Sequence, residues 1–196
     1  MTTDKPRLRG RPRRFDLNEA VATAQKLFHA RGYDAVSVAD VTEALGINPP
    51  SFYAAFGSKA GLYARVLDRY NGTAAIPIAA LLREDRPVEE CLAAVLEEAA
   101  RYYAADPGAA GCLVLEGVRC TVPEAREAAG AYNLAAERVI HNYIAARYPQ
   151  EAERLTDFVS TTMSGLSAKA RSGHGLDQLI STARLAGLAL GQAIPG

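Results

Sequence analysis

The sequence predicts an all-α protein, and three observations lead to this fold class. Apolar residues recur at helical spacing along most of the chain, and alanine-rich stretches are frequent. Alternating runs of β-branched residues are scarce, and Gly, Pro and capping residues bound the periodic stretches. With 196 residues, 49% of them hydrophobic, the chain can bury a sizeable core in one large or two small domains.

Composition also argues against several classes of protein. The longest uncharged apolar run, near residues 74–82, is interrupted by Pro77 and is too short to span a bilayer. The N-terminus is charged and lacks the apolar region of a signal peptide, so we expect a soluble, cytoplasmic protein without a membrane partner. The three cysteines form no CxxC motif and the three histidines are scattered, so we expect neither a metal site nor a cofactor.

Residues 1–15 are predicted to be a flexible basic arm. The whole chain is formally neutral, yet residues 1–70 carry 11 basic and 7 acidic residues and the remainder is acidic, which favours a DNA-binding first third. Within the arm, Arg9-Gly10-Arg11-Pro12 resembles the core of an AT-hook, which lays arginines in a narrow A·T minor groove. We therefore expect Arg9, Arg11 and Arg13 to contact DNA; the alternative is a generic phosphate-binding or solubilising tail.

The first helix is predicted to begin at Asp16, with Glu19 as its capping partner, and to end at Gly32. A continuous amphipathic stripe marks its buried face. The residues of this stripe are Leu17, Ala20, Val21, Ala24, Leu27 and Phe28.

Two short helices joined by a tight turn follow. Ser37 and Asp40 form an S-x-x-D capping box for the first of them, and Gly46 ends it. Asn48 then caps the second, with Pro49 at the first helical position, where the missing N–H costs nothing.

The second short helix is too polar and too short to be explained by core burial. Phe52 and Phe56 point inward, and Ser51, Tyr53, Ala54 and Ala55 occupy its other faces. This pattern predicts a helix-turn-helix, whose second helix enters the major groove with its N-terminal residues toward the bases. The alternative is an ordinary helical hairpin. We assign residues 16–60 to this DNA-binding domain.

Residues 61–196 are predicted to form a helical ligand-binding and dimerisation domain. Ser58 caps a fourth helix that carries Leu62, Val66 and Tyr70, and the chain breaks near Pro77 before Ile78–Leu82. The last two helices are rich in small residues, which favours a homodimer interface over packing within one chain. The body helices are expected at about 87–105, 111–120, 123–147, 151–172 and 176–193.

From Asp16 to Tyr70 the chain resembles regulators of the tetracycline-repressor (TetR) family. The resemblance rests on Leu27-Phe28, Gly32-Tyr33, Ser37-Val38, Leu45-Gly46-Ile47 and, most specifically, Phe52-Tyr53-x-x-Phe56-Gly57-Ser58-Lys59. It implies an N-terminal DNA-binding domain on a C-terminal domain that dimerises through its last two helices and encloses a small-molecule pocket. The implied function is a transcriptional repressor, not an enzyme, released from a palindromic double-stranded operator by an unknown effector.

Carried over to this sequence, the resemblance implies that Ser37, Tyr53 and Lys59 contact DNA phosphates, which position the protein without specifying sequence. Base reading would fall to Asn48, Pro49, Pro50, Ser51 and Ala54. The family often has His or another polar aromatic residue where this chain has Ala55, and two prolines remove donors. We therefore expect apolar contacts and the arginine arm to carry much of the discrimination.

The candidate ligand-binding residues are mostly tyrosines, which offer flat apolar faces with a hydroxyl group, together with a possible Glu116–Arg119 pair. Helix 4 links the two domains, so its tilt can set the spacing of two DNA-binding heads. The full candidate set is Tyr102, Tyr103, Leu113, Glu116, Arg119, Tyr132, His141, Tyr143 and Met163.

Three alternatives remain open from the sequence. An enzyme is disfavoured because no catalytic triad, metal constellation or phosphate-binding loop has a recognisable spacing. A thiol-based redox regulator would use Cys112 and Cys120, which lie eight residues apart and could approach only if the intervening helix bends. A non-specific DNA-binding structural protein would show a small specificity ratio at physiological salt.

Overall fold

The computed structural model describes residues 16–194, which form helices and connecting loops with no strand in that range. A short 3₁₀ turn is formed by Pro107–Ala109. Within this part of the chain, every helix is too short or too polar to cross a membrane. The helices are α1 (Leu17–Arg31), α2 (Val38–Leu45), α3 (Pro49–Phe56), α4 (Lys59–Thr73), α5 (Ile78–Leu81), α6 (Val88–Ala104), α7 (Leu113–Gly117), α8 (Pro123–Ala145), α9 (Ala152–Arg171) and α10 (Leu176–Ala193).

Local side-chain caps explain where the first four helices begin. The side chains of Asp16, Ser37, Asn48 and Ser58 each accept backbone N–H groups of the following turn, so the four predicted N-caps are confirmed. The Ser37–Asp40 capping box is complete. At the end of α2, Gly46 has a φ of +63°, a conformation that costs a glycine little.

The body helices agree with prediction except around α7. The expected helix over 111–120 is wrong in extent, because α7 covers only Leu113–Gly117. Gly111 has a φ of +82°, and Cys112 is extended, so neither residue has helical geometry. The segment after α7 returns through tight turns to the first residue of α8.

The described residues form two hydrophobic cores, and each core combines helices that are not consecutive along the chain. One is built from α1–α4 and is completed by α7 and the first turns of α8. The other is formed by α6, the second half of α8, α9 and α10. The predicted domain boundary at residues 60 and 61 falls inside α4, whose Leu62, Tyr63 and Val66 belong to the first core.

Candidate DNA-binding surface and internal cavity

The short helix α3 lies on the first core with one face buried and the other exposed. Phe52 and Phe56 are 0% and 6% exposed, so they anchor the helix. Tyr53 is 51% exposed, and its ring meets the Phe52 ring edge-on with centroids 5.3 Å apart. This packing holds α3 rigidly while leaving the tyrosine hydroxyl free to reach a phosphate.

The residues predicted to read bases lie together at the N-terminal end of α3. The Asn48 side-chain oxygen accepts the Ser51 N–H at 2.9 Å, so the oxygen serves the cap and its amide N–H groups remain available. The set that the structure leaves exposed is Asn48, Pro49, Pro50, Ser51 and Ala54. Base contacts by these residues stay a prediction, and Arg9, Arg11 and Arg13 lie outside the described residues.

Both polar groups of Ser37 are already used inside the domain. Its backbone N–H donates to Asp40 at 2.7 Å, and its hydroxyl hydrogen-bonds the same carboxylate. Arg31 donates to Asp40 at 2.8 Å as well, and these hydrogen bonds, those from Ser37 foremost, hold the pKa of Asp40 well below its usual range. A phosphate contact at Ser37 would therefore have to share groups with this cap.

Lys59 also has a structural partner. Its ammonium group donates to the carbonyl oxygens of Tyr33 at 3.0 Å and Val36 at 2.8 Å, and it lies 4.0 Å from the centre of the Tyr33 ring. Burial lowers the pKa of Lys59. These contacts tie the start of α4 to the loop before α2, and one of three ammonium N–H groups is left for a phosphate.

A cavity of about 100 Å³, partly open to solvent, lies between the end of α4, the α5 segment and helices α6–α9. Three residues of the predicted ligand set line it: Tyr103, Tyr132 and Met163. Sequence reasoning missed others, because their roles depend on which faces of several helices meet. The missed lining residues with polar or sulfur atoms are Tyr70, Asn71, Cys112, Asn133, Glu137 and Ser160.

The remaining predicted ligand residues lie elsewhere. Tyr102, Arg119 and His141 are exposed, and Tyr143 donates to the Arg83 carbonyl at 2.7 Å on another side of the body. Leu113 is buried in the first core. The structure therefore brings these residues to no common site.

Glu116 does not pair with Arg119 but with an arginine from α9. The Arg171 Nε lies 3.3 Å from a Glu116 carboxylate oxygen, and the same guanidinium donates to the His29 carbonyl at 2.9 Å. His29 in turn hydrogen-bonds the Gly111 carbonyl through Nε2 at 3.1 Å. This junction fastens α1 of the first core to α9 of the second across 142 positions of sequence.

The His29 contact predicts a pH dependence of stability. Burial lowers the pKa of His29, with the nearby Arg171 charge acting in the same direction, so the folded state binds its proton less readily than the unfolded state. The unfolded chain therefore gains protons first as pH falls below about 6.5, and stability decreases over that window. We expect the urea midpoint to fall between pH 7 and pH 5.5.

The matched variant is His29→Gln, which keeps an amide donor for the Gly111 carbonyl but cannot titrate. Its urea midpoint should change less over the same pH range, while His141→Gln, at an exposed position, should behave as the parent. An unchanged slope in His29→Gln would contradict the assignment.

Helices α9 and α10 leave an apolar face exposed. Leu185 and Leu188 are 70% and 69% exposed, and Phe158 on α9 is 39% exposed. A shallow groove between the two helices is lined by Phe158, Gly165, Leu185 and other residues. Large exposed apolar side chains in one patch are typical of a protein–protein interface.

Comparison with known proteins agrees with this architecture. The family model "Bacterial regulatory proteins, tetR family" matches residues 20–66. The HTH-type transcriptional repressor BdcR of Escherichia coli (strain K12) is 59% identical over 190 residues, covering 97% of this chain and 96% of that protein. The chain belongs to the TetR family. It is therefore a helix-turn-helix transcriptional regulator that binds double-stranded DNA.

Two further relatives support membership of the TetR family. The HTH-type transcriptional repressor ComR of Escherichia coli (strain K12) is 32% identical and covers 89% of each chain. A solved structure of the TetR family regulator CifR, a cysteine mutant complexed with 26-bp double-strand operator DNA, is also 32% identical. It has a TM-score of 0.81 and covers 91% of this chain and 99% of that chain.

The thiol-based alternative for this TetR-family chain stays a prediction. Burial raises the pKa of the Cys112 thiol, and burial together with the nearby Asp34 charge raises that of Cys120 to about 11. Both groups are therefore thiols rather than reactive thiolates near neutral pH. They also lie at opposite ends of α7, and both are free cysteines.

Proposed function

We propose that the chain binds a palindromic operator as a dimer and leaves it when a small molecule occupies the internal cavity. The observation that carries the DNA part is α3, which buries two phenylalanines and presents Ser51, Tyr53 and Ala54 to solvent. A dimer places two such helices on successive major grooves. The proposal implies a role in the cytoplasm and a binding rather than a catalytic activity.

Helix α4 supports the proposed coupling between ligand and DNA. It begins at Lys59, directly after α3, and near its other end Tyr70 lines the cavity. A ligand that favours a different tilt of α4 would move the two α3 helices out of register with the grooves. Because each 1.4 kcal/mol is a factor of ten, a coupling of about 3 kcal/mol would release the operator effectively.

The apolar face on α9 and α10 supports the proposed dimer contact. Its exposed leucines would become buried against the same face of a second copy, as a two-fold interface requires. Dimerisation also strengthens DNA binding, because the second half-site is bound at a high effective concentration.

A selection from random duplex DNA with purified protein at physiological salt tests this function. We expect enrichment of a palindrome whose half-sites are about one helical turn apart. Recovery of no motif would contradict sequence-specific binding and favour a non-specific DNA-binding protein.

On the selected operator, we expect Tyr53→Phe to weaken binding of the dimer about 10- to 100-fold, because each of the two protomers loses one hydrogen bond to a phosphate. The loss should be similar for operator and unrelated DNA, since phosphate contacts carry no sequence information. Fluorescence anisotropy on both duplexes measures it. Tyr102→Phe, at another exposed tyrosine on α6, is the control and should bind as the parent. If Tyr53→Phe bound DNA as tightly as the parent protein, the Tyr53 hydroxyl would make no contact with DNA.

A further inference from the structure

The chemistry of the cavity lining restricts what can occupy it. The lining is mostly aliphatic and aromatic, and none of the described residues that form it is Lys, Arg or His. Glu137 supplies one carboxyl group, which already accepts a hydrogen bond from the Asn133 amide at 3.0 Å. An anion would therefore lose much of its hydration without gaining a positive partner, which is unfavourable.

One buried donor in the lining lacks a good partner. The Tyr103 side chain is 1% exposed, and its hydroxyl makes no hydrogen bond of normal geometry with the described residues. The Cys112 sulfur lies beside it, but that weak acceptor already receives the Tyr70 hydroxyl at 3.6 Å. Two tyrosine hydroxyl groups thus lie beside one weak acceptor, and a buried donor without a partner is unfavourable.

Both hydroxyls remain donors throughout the physiological pH range. Burial raises the pKa of Tyr103 well above its ordinary value and raises that of Tyr70 as well. An occupant with an acceptor atom near Tyr103 would satisfy this donor, whereas a saturated hydrocarbon or an ammonium group would not.

We propose that the cavity selects a small, uncharged, largely apolar molecule carrying one oxygen acceptor, such as a ketone, ester or ether, and that the Tyr103 hydroxyl donates to this oxygen. The inference rests on the proposed function, because it names the effector class of that same cavity. The volume of about 100 Å³ limits the occupant to about six heavy atoms, since an engineered cavity of about 150 Å³ holds benzene.

Three compounds of nearly equal size and shape separate the terms of this proposal. The ketone 3-methylbutan-2-one has a neutral acceptor, the alkane 2,3-dimethylbutane has no acceptor, and isobutyrate is an anion. Each has about six heavy atoms. Binding to the DNA-free protein can be followed through the methyl resonance of ¹³C-labelled methionine. The chain has two methionines, and Met163 lines the cavity, so its methyl group reports on the occupant directly.

We expect the ketone to bind about 5- to 10-fold more tightly than the alkane, the gain from one satisfied hydrogen bond. Isobutyrate should bind at least about 100-fold more weakly than the ketone, because its charge would be buried without a partner. In Tyr103→Phe this preference should be lost, and the alkane should bind at least as tightly as the ketone, because the ketone oxygen would be buried without a donor. Tyr143→Phe, whose hydroxyl contacts the Arg83 carbonyl outside the cavity, is the matched control and should keep the parent preference.

Isobutyrate binding as tightly as the ketone would overturn the proposal, and so would a ketone preference that survives in Tyr103→Phe. An unmoved Met163 resonance at tens of millimolar ketone would overturn it too. Operator binding is measured separately on the same protein. A protein that selects an operator but ignores the ketone therefore refutes the ligand class alone, whereas failure to select an operator refutes the proposed function.

Discussion

The double variant Leu185→Asp, Leu188→Asp should be monomeric and should bind the operator at least about 100-fold more weakly than the parent. Both leucines lie on one face of α10 and are about 70% exposed, so they contribute little to the core of their own chain. In a dimer interface their replacements would bury charges without partners, at a cost of several kcal/mol. Each half-site would then be bound separately, without the gain in effective concentration that the dimer provides.

Sedimentation and fluorescence anisotropy measure the two effects. Leu134→Asp is the matched control, because Leu134 on α8 is 48% exposed and lies outside the α9–α10 face. It should remain dimeric with parental affinity. A dimeric double variant would place the interface elsewhere, and a monomer with full affinity would contradict the requirement for two copies.

The second large effect concerns Gly117, the last residue of α7. A Cβ atom there would lie 2.6 Å from the Ala129 Cβ and would also collide with the Tyr63 hydroxyl. Since α7 is packed between α4 and α8, neither neighbour can yield without shifting a helix. We expect Gly117→Ala to destabilise the fold by about 3 kcal/mol, despite the better helix propensity of alanine.

The same substitution at Gly130 provides the control. Gly130 lies within α8, and a Cβ atom there would meet nothing within 4 Å. Gly130→Ala should therefore stabilise the protein by about 0.5–1 kcal/mol. At equal protein concentration, we expect the melting temperature to fall by roughly 6–12 °C in Gly117→Ala and to rise by a few degrees in Gly130→Ala.

A double variant tests the cause of the Gly117 effect. Tyr63→Phe removes the colliding hydroxyl, so Gly117→Ala should cost less in that background than in the parent. Equal costs would mean that the contact with Ala129 dominates. A melting temperature that is unchanged in Gly117→Ala would contradict the close packing of α7 itself.

The ligand cavity shows why sequence reasoning reached only part of the site. Tyrosines suit a pocket because they combine a flat apolar face with a hydroxyl group, and Tyr103 and Tyr132 do line the cavity, as does the predicted Met163. The same reasoning, however, also selected Tyr102 and Tyr143, which lie elsewhere. Tyr102 and Tyr103 are adjacent, and a helical step of about 100° turns one outward and the other inward. The rotation of α6 about its axis, set by its packing against neighbouring helices, decides which of the two tyrosines points toward the cavity.

Residues other than tyrosines form important parts of the cavity and of the junction between the two cores. Nothing in the sequence marks Cys112 as a cavity residue, although its sulfur receives the Tyr70 hydroxyl beside the cavity. Arg171 lies at the end of α9, 142 positions from the His29 carbonyl that it binds. No local pattern marks such a pair, because the contact forms only after two cores have packed together.

The sequence by itself determined the all-α class, the N-caps of α1–α4, the ends of α1 and α2, and the TetR-type helix-turn-helix, because each depends on residues three or four positions apart. The tertiary structure alone decided how short α7 is and which residues line the cavity. It also decided that α4 belongs both to the DNA-binding domain and to the rest of the chain. These features depend on how side chains from distant helices fill a common volume at close packing, which no single segment encodes.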